Sequence, residues 1–217
     1  MMRVTSRRLI SSVRSLTTSS VSYKAAETVP VVETSTIDGS AIFSSPKIEV
    51  PSFDLTRRLN KYITQSFYLI FFEKSFTVES LVAGANKGIV ALAHALADRK
   101  WDQMENFVVK DLVDEFRSAK SSLQNELRFK EEDILLSFVH SSFFSGRNII
   151  KLSESKNLCV YFTIVTYVRL SESVPQDATI RQLTGKYRKQ VLKCNSTFSR
   201  VLNPLGVWKI TSANFFV

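Results

Sequence analysis

Apolar residues recur at helical spacing from about residue 54 to residue 128, and at strand spacing from about residue 133 to the end. Helices first and strands afterwards predict an α+β domain, with N-terminal helices packed on a curved antiparallel sheet of about four strands. The first predicted helix runs from about Asp54 to Phe72. Leu55, Leu59, Tyr62, Ile63, Ser66, Leu69 and Ile70 share one face, and Arg57, Arg58 and Lys61 lie opposite. After Ser66 the polar face ends, because Tyr68, Phe71 and Phe72 stand on the side that was basic.

A second helix is predicted from about Val78 to Asp98, with Thr77 as N-cap and a stripe of Leu81, Ala85, Ile89, Leu92 and Leu96. Gly84 and Gly88 stand four apart on it; with Asn86 and Lys87 between them they suggest close helix packing in water rather than a membrane dimer motif. Arg99, Lys100 and Trp101 turn the chain. Asp102 and Glu105 resemble a capping box for a third helix from Gln103 to about Ser118, striped by Met104, Val108, Leu112 and Phe116 with Phe107 beside them. Ser122 to Phe129 would add a turn or two.

Strand alternation follows. Ile134, Leu136, Phe138, His140 and Phe144 alternate with polar residues, and a turn is expected at Ser145–Asn148. The best strand is LCVYFTIVTYVRL (Leu158–Leu170), with Leu158, Val160, Phe162, Ile164 and Val168 inward. Ser171–Ala178 reads as a loop. Tyr187–Val201 and Val207–Phe216 complete the sheet across a turn at Asn203–Gly206, with a short extra strand near Ile149–Leu152. Phe116, Phe162, Phe198 and Trp208 are the expected core anchors.

The stretch TQSFYLIFFEK (Thr64–Lys74) asks whether the first helix enters a membrane. Its apolar run, Phe67–Phe72, is far short of the roughly 20 residues a span needs, so no transmembrane span is expected. Two readings stay open. In one, a cationic half (Arg57, Arg58, Lys61) and an aromatic half (Tyr68, Phe71, Phe72) lie on a membrane surface. In the other, those rings fill the core.

Charge changes the picture at the N-terminus. Of 29 Lys and Arg, five (Arg3, Arg7, Arg8, Arg14 and Lys24) fall in residues 1–24, which hold no acid; the remaining 24 face 20 acids, a net charge of +4. MMRVTSRRLISSVRSLTTSS is Arg-rich and Ser/Thr-rich with a Leu9, Ile10, Val13, Leu16 stripe, the composition of a mitochondrial transit peptide. Arg14 followed by Ser15, Leu16 and Thr17 suits a matrix peptidase that cuts shortly after arginine. A disordered basic tail is the alternative. Residues 25–52, with Pro30, Pro46 and Pro51 and no helical period, read as a disordered linker, so the folded domain is expected over 53–217. A net charge of +4 argues weakly for nucleic acid, and no DNA partner is expected.

Little chemistry is written in the chain. Cys159 and Cys194 are far apart and expected to be reduced, and with two His they assemble no metal site. His140 on an apolar strand face is more often a hydrogen-bonded core residue than a catalyst. Leu183–Lys186 has a Gly-Lys pair without the rest of a P-loop, and Asn195-Ser196-Thr197 is a sequon only by spelling in a matrix protein. Arg181, Lys186, Arg188, Lys189 and Lys193 are the densest basic cluster, suited to anionic lipid, ribosomal RNA or an acidic partner, or else to plain solvation. No nucleophile with a base and no paired carboxylates appear, so an enzyme is not expected.

VAGANKGIVALAHALADRKWDQMENFVVKDLVDEF (Val82–Phe116) resembles the helical hairpin of the mitochondrial import-motor-anchor family, the domain shared with the C-terminal part of translocase-of-inner-membrane subunit 44. Phe198-Ser199-Arg200-Val201 followed by Trp208-Lys209-Ile210 is similar to the family's paired last strands. The resemblance covers roughly Phe53–Val217. It implies a nuclear-transport-factor-2-like cone and a protein at the matrix face of the inner membrane. EKSFTVESLVAGAN (Glu73–Asn86) looks most like the branch that binds the m-AAA protease and supports newly imported inner-membrane proteins, such as the small regulatory subunit of the calcium uniporter. Family members that anchor the import motor or belong to the mitoribosome are the alternatives. The resemblance implies no cofactor. A second class, a small-ligand pocket protein or isomerase-like enzyme, would need a polar cavity converging on His140.

Overall fold

The computed structural model describes Ile48 and residues 54–119, 127–146 and 158–217. The expected transit peptide over 1–24, nearly all of the linker over 25–52, most of the Ser122–Phe129 piece and the short strand near Ile149–Leu152 lie outside the described residues.

Four strands, β1 (Ile134–Ser145), β2 (Cys159–Arg169), β3 (Val191–Val201) and β4 (Lys209–Phe216), form one antiparallel sheet in the order β1-β2-β3-β4. The helices come first: α1 (Leu55–Phe71), α2 (Val78–Ala97), α3 (Trp101–Met104) and α4 (Lys110–Ser118). The architecture is therefore mixed helix and sheet, with helices laid against an antiparallel sheet.

Local chemistry sets the helix ends. Asp54 caps α1 by accepting from the Arg57 backbone N–H at 3.3 Å, and Thr77 caps α2 by accepting from Ser80 N–H at 3.1 Å. At its far end α2 closes with Arg99 in the left-handed region (φ 55°), Lys100 N–H reaching Ala95 O at 2.9 Å and Arg99 N–H reaching Leu96 O at 3.2 Å.

The single third helix expected over Gln103–Ser118 is instead two short ones. Between them Val109 N–H donates to Ile210 O at 3.0 Å and Ile210 N–H donates to Phe107 O at 2.8 Å, so these residues extend alongside β4. Two backbone bonds to a strand outweigh continuation of a helix whose stripe was correctly spaced. The expected capping box does not form: Lys100 holds the N-cap position, and no side chain caps α3. Sequence reading also missed α5 (Ile180–Thr184), whose capping box pairs Thr179 and Gln182.

The main core lies between α2, α3, α4 and one face of the sheet. Ile89, Leu92 and Leu96 of α2 are fully buried beside Met104, Phe116 and Phe162. Phe162, Phe198 and Ile210 are cross-strand neighbours on successive strands, which makes one apolar row under α2. Trp208 is half-buried at the rim of this core. By length and composition α2 is the one helix among the described residues apolar enough to cross a bilayer; in the fold its apolar stripe is the core of the domain. The opposite sheet face carries a smaller cluster of Val165, Tyr167, Val174, Leu183 and Val191, covered by α5 and its flanking loops.

Candidate functional site

The first helix lies against β1, an edge strand, with its polar side inward. Thr64 Oγ1 donates to Ser142 O and Ser142 Oγ donates to Lys61 O, both at 3.4 Å, and Arg57 Nη1 stands 3.0 Å from His140 Nε2. One helical face therefore carries Arg57, Lys61, Thr64, Tyr68 and Phe72 toward the protein. The opposite face is turned to solvent. Leu55 (63% exposed), Leu59, Tyr62, Ile63 (54%), Ile70 (62%) and Phe71 (58%) form a continuous apolar stripe there, with the Phe67 ring tilted against Phe71 at 5.4 Å between centroids. Contiguous exposure of this kind marks an interaction surface more often than a scatter of single residues does.

The residues expected at a membrane surface thus divide. Arg58 and Phe71 are exposed, and Arg57 and Lys61 are half-buried against β1. Tyr68 corrects the expectation: it is fully buried, with its ring edge-on to Phe76 at 4.7 Å. Phe72 is half-buried against Phe144 and the core. The cause is rotation, since Tyr68 and Phe72 fall on the inward side and Phe71, one position earlier than Phe72, falls outside it.

At the end of α1 a polar cluster ties three elements together. Arg200 Nη1 donates to the Tyr68 hydroxyl and to Glu73 Oε2, each at 2.8 Å, while its guanidinium lies 5.5 Å from the Trp208 ring centroid. Arg200 and Trp208 belong to the motif behind the family resemblance. Tyr68 and Glu73, their partners, were not singled out as a pair, because nothing in the spacing signals a contact 132 residues apart.

Two of the cavities among the described residues lie on opposite faces of the sheet. One, of about 320 Å³, lies between α2 and the apolar row of the sheet beside Phe76, Leu81, Phe107, Phe198 and Trp208, with Glu73 also in its lining. Gly84 borders it with nothing within 4 Å of where a Cβ would stand; a Cβ on Gly88 would meet the Phe198 ring at 3.2 Å. The other, of about 260 Å³, lies on the opposite sheet face and is lined by Arg57, His140, Thr163, Asn195, Thr197 and Ser212 among others. An irregularity between Val139 and Ser141 takes His140 out of the strand register. Burial first, then the positive charges of Arg57 and Lys61, hold the His140 imidazole below its usual pKa and so keep it neutral.

Of the basic cluster, Arg181, Lys186, Arg188 and Lys189 are exposed on the connection between β2 and β3. Lys193 does not belong with them. It is 1% exposed on β3, with its ammonium 5.5 Å from the Phe216 ring centroid of the paired strand, in a stretch where both faces of β3 are covered. Cys194 is buried, and its thiol is pushed far above the ordinary range by desolvation; Cys159 is half-buried. Among the described residues no group of His, Cys, Asp and Glu is placed to hold a metal ion.

In comparison with known proteins, the chain matches no family model, no curated protein and no solved structure.

Proposed function

We propose that this protein is a matrix-side adaptor held peripherally at the inner mitochondrial membrane, of the import-motor-anchor-like class and most like m-AAA protease-interacting protein 1. It binds m-AAA protease subunits and supports sorting or assembly of newly imported inner-membrane proteins. The proposed fold is the nuclear-transport-factor-2-like cone. The order of elements supports it: helices first, a long β1–β2 pair, a short helix, then β3 and β4.

The observation that carries the reading is the outward apolar face of α1. A helix that spends its polar side on an edge strand and leaves Leu55, Ile63, Ile70 and Phe71 in water keeps that stripe for something outside the domain. The lipid interface is the proposed occupant. Arg58 sits at the rim of the stripe and Lys74 follows the helix, both exposed, where anionic headgroups would meet them. Each large side chain that leaves water contributes about 1.5–3 kcal/mol when fully buried, enough for reversible attachment by several partial burials. The basic connection carrying Arg181, Lys186, Arg188 and Lys189 supplies a second surface for an acidic partner.

Vesicle flotation of the full chain, with and without cardiolipin, tests the membrane part against an Ile63→Ser, Ile70→Ser double variant that keeps the N-terminal residues unchanged. Retained flotation of the double variant would exclude α1 as the attachment. Crosslinking and purification from mitochondria tests the partner: m-AAA subunits are expected, and recovery of large-subunit ribosomal proteins instead would assign the chain to the mitoribosome.

A further inference from the structure

The connection between β3 and β4 carries no charged residue. It reads VLNPLGVW from Val201 to Trp208, and three of its apolar side chains stand in water: Val201, Leu205 and Val207, the last 70% exposed. Connections are ordinarily built from polar and turn-forming residues on their exposed positions. The turn itself closes through backbone, Gly206 N–H donating to Val201 O at 2.9 Å, and does not need the apolar side chains.

Strand pairing fixes where this connection lies. Ser145, Cys159 and Val201 are cross-strand partners in one row, so the last residues of β1 and β3 share one end of the sheet. The C-terminal end of α1 reaches the same end, because Phe72 packs on Phe144. One guanidinium clamps the two together: Arg200 donates from Nε to Gly206 O at 2.6 Å and from Nη1 to the Tyr68 hydroxyl at 2.8 Å. The connection is thereby tied to the helical turn that carries Phe67, Ile70 and Phe71 on its outer side. Two cations border this end: Lys74, exposed after α1, and Lys209, directly after the connection. The Glu73 carboxylate beside them is taken by Arg200 at 2.8 Å. The basic connection carrying Arg181, Lys186, Arg188 and Lys189 joins the opposite ends of β2 and β3.

We infer that the β3–β4 connection is a second lipid contact: Leu205 and Val207 enter the bilayer interface together with the C-terminal end of α1, and Lys74 and Lys209 meet anionic headgroups. The inference rests on the membrane reading of α1 and extends it from one helix to a two-part surface. An uncharged apolar tip beside an apolar helix face, with cations at the border, is the pattern an anionic lipid surface takes. Two contacts also orient the domain, holding the basic connection at the far end of the sheet away from the bilayer.

Spin labels on the full chain, bound to vesicles of phosphatidylcholine and cardiolipin, test this by electron paramagnetic resonance. The labels are placed singly through Val207→Cys, Phe71→Cys and Lys189→Cys, each with Cys159→Ser, which leaves Cys194 buried as the other thiol. On vesicle addition the labels at 207 and 71 should gain contact with oxygen and lose contact with a water-soluble nickel complex, while the label at 189 stays aqueous. An immersed label at 71 with an aqueous one at 207 overturns the inference and leaves α1 as the attachment. Immersion at 207 alone keeps the connection as a lipid contact and overturns the α1 reading. If both stay aqueous, both fall, and immersion at 189 overturns the orientation. The double variant Leu205→Ser, Val207→Ser changes only exposed side chains, so it should fold as the parent does and bind vesicles about tenfold more weakly. Unchanged binding by that variant also overturns the inference.

Discussion

The Tyr68 hydroxyl lies 2.8 Å from Arg200 Nη1 and 2.8 Å from Glu73 Oε2, accepting from the first and donating to the second. Arg200 also donates from Nε to Gly206 O at 2.6 Å. One buried phenol therefore joins the end of α1, the α1–α2 turn and the β3–β4 connection. Hydrogen bonds to charged groups contribute about 1.5–3 kcal/mol, and the direct Arg200–Glu73 contact survives loss of the hydroxyl. Tyr68→Phe should accordingly destabilise the domain by about 1–2 kcal/mol in urea unfolding, with an unchanged denaturant slope. A loss of a few tenths would mean the bridge contributes nothing beyond the ring.

The same phenol sets an alkaline limit. Burial, and then its bond to Glu73, push the Tyr68 pKa up to about 12, with Arg200 opposing. The unfolded chain releases this proton near pH 10, so above that pH the folded state binds more protons and stability falls with rising pH until about pH 12. The contribution lost is roughly 2 kcal/mol over that window. Tyr68→Phe should show a shallower alkaline decline than the parent; parallel declines would place the titration elsewhere.

His140 sets the opposite limit. Its folded-state pKa is depressed, chiefly by burial and then by Arg57 and Lys61, so in acid the unfolded chain binds the extra proton. Stability contributed by the neutral ring is present above the unfolded pKa of about 6.5 and is lost as pH falls below it. Protonation would also turn the acceptor facing Arg57 into a donor. His140→Gln should flatten the stability profile between neutral pH and the onset of carboxylate titration. An unchanged slope would show that the ring is accessible enough to protonate in place.

Hydrophobic spacing made α2, β2 and the inward set Leu158, Val160, Phe162, Ile164 and Val168 legible, because their periods coincide with what the sheet and helix bury. It misjudged α1. An apolar stripe at helical spacing normally faces a core, yet here Leu55, Leu59 and Ile63 face solvent while Thr64 meets β1. Period reveals that two faces differ and not which one the protein keeps. Lys193 was unreadable for a related reason: charge density along the chain placed it with Lys189, and the fold covers both faces of β3 from Val191 to Ser196. His140 reaches the polar cavity from an irregularity in β1, which leaves no mark on composition. α5 is too short for a period to emerge.

The two glycines of α2 should part company. Alanine is worth about 0.8–1 kcal/mol over glycine inside a helix. At Gly84 nothing stands within 4 Å of the new methyl, so Gly84→Ala should raise stability by about 0.5–1 kcal/mol. At Gly88 the methyl meets the Phe198 ring at 3.2 Å, and that ring is wedged between Phe162 and Ile210 on the sheet. Gly88→Ala should therefore forfeit the helical gain and come out below Gly84→Ala. Equal effects in thermal unfolding would mean that Phe198 moves freely.

Phe71 and Phe72, adjacent in TQSFYLIFFEK, separate the two roles of the first helix. Phe71 is 58% exposed, with its ring against Phe67 on the outer stripe, whereas Phe72 packs on Tyr68 and Phe144 at the edge of the core. Serine at each position removes the same ring and should have different consequences. Phe71→Ser should change unfolding stability by no more than about 0.5 kcal/mol, the usual range for a surface site, while reducing vesicle flotation. Phe72→Ser should cost about 2–4 kcal/mol, less than full burial would because the ring is partly exposed, and should spare flotation wherever the protein remains folded. The assignment is sensitive to rotation, since a shift of one residue along the helix moves the inward face by about 100°. If Phe71→Ser proves the more damaging to stability, α1 is rotated on β1 relative to the geometry described, and its outer stripe is part of the core. If Phe71→Ser leaves both stability and flotation unchanged, the stripe has an occupant other than lipid.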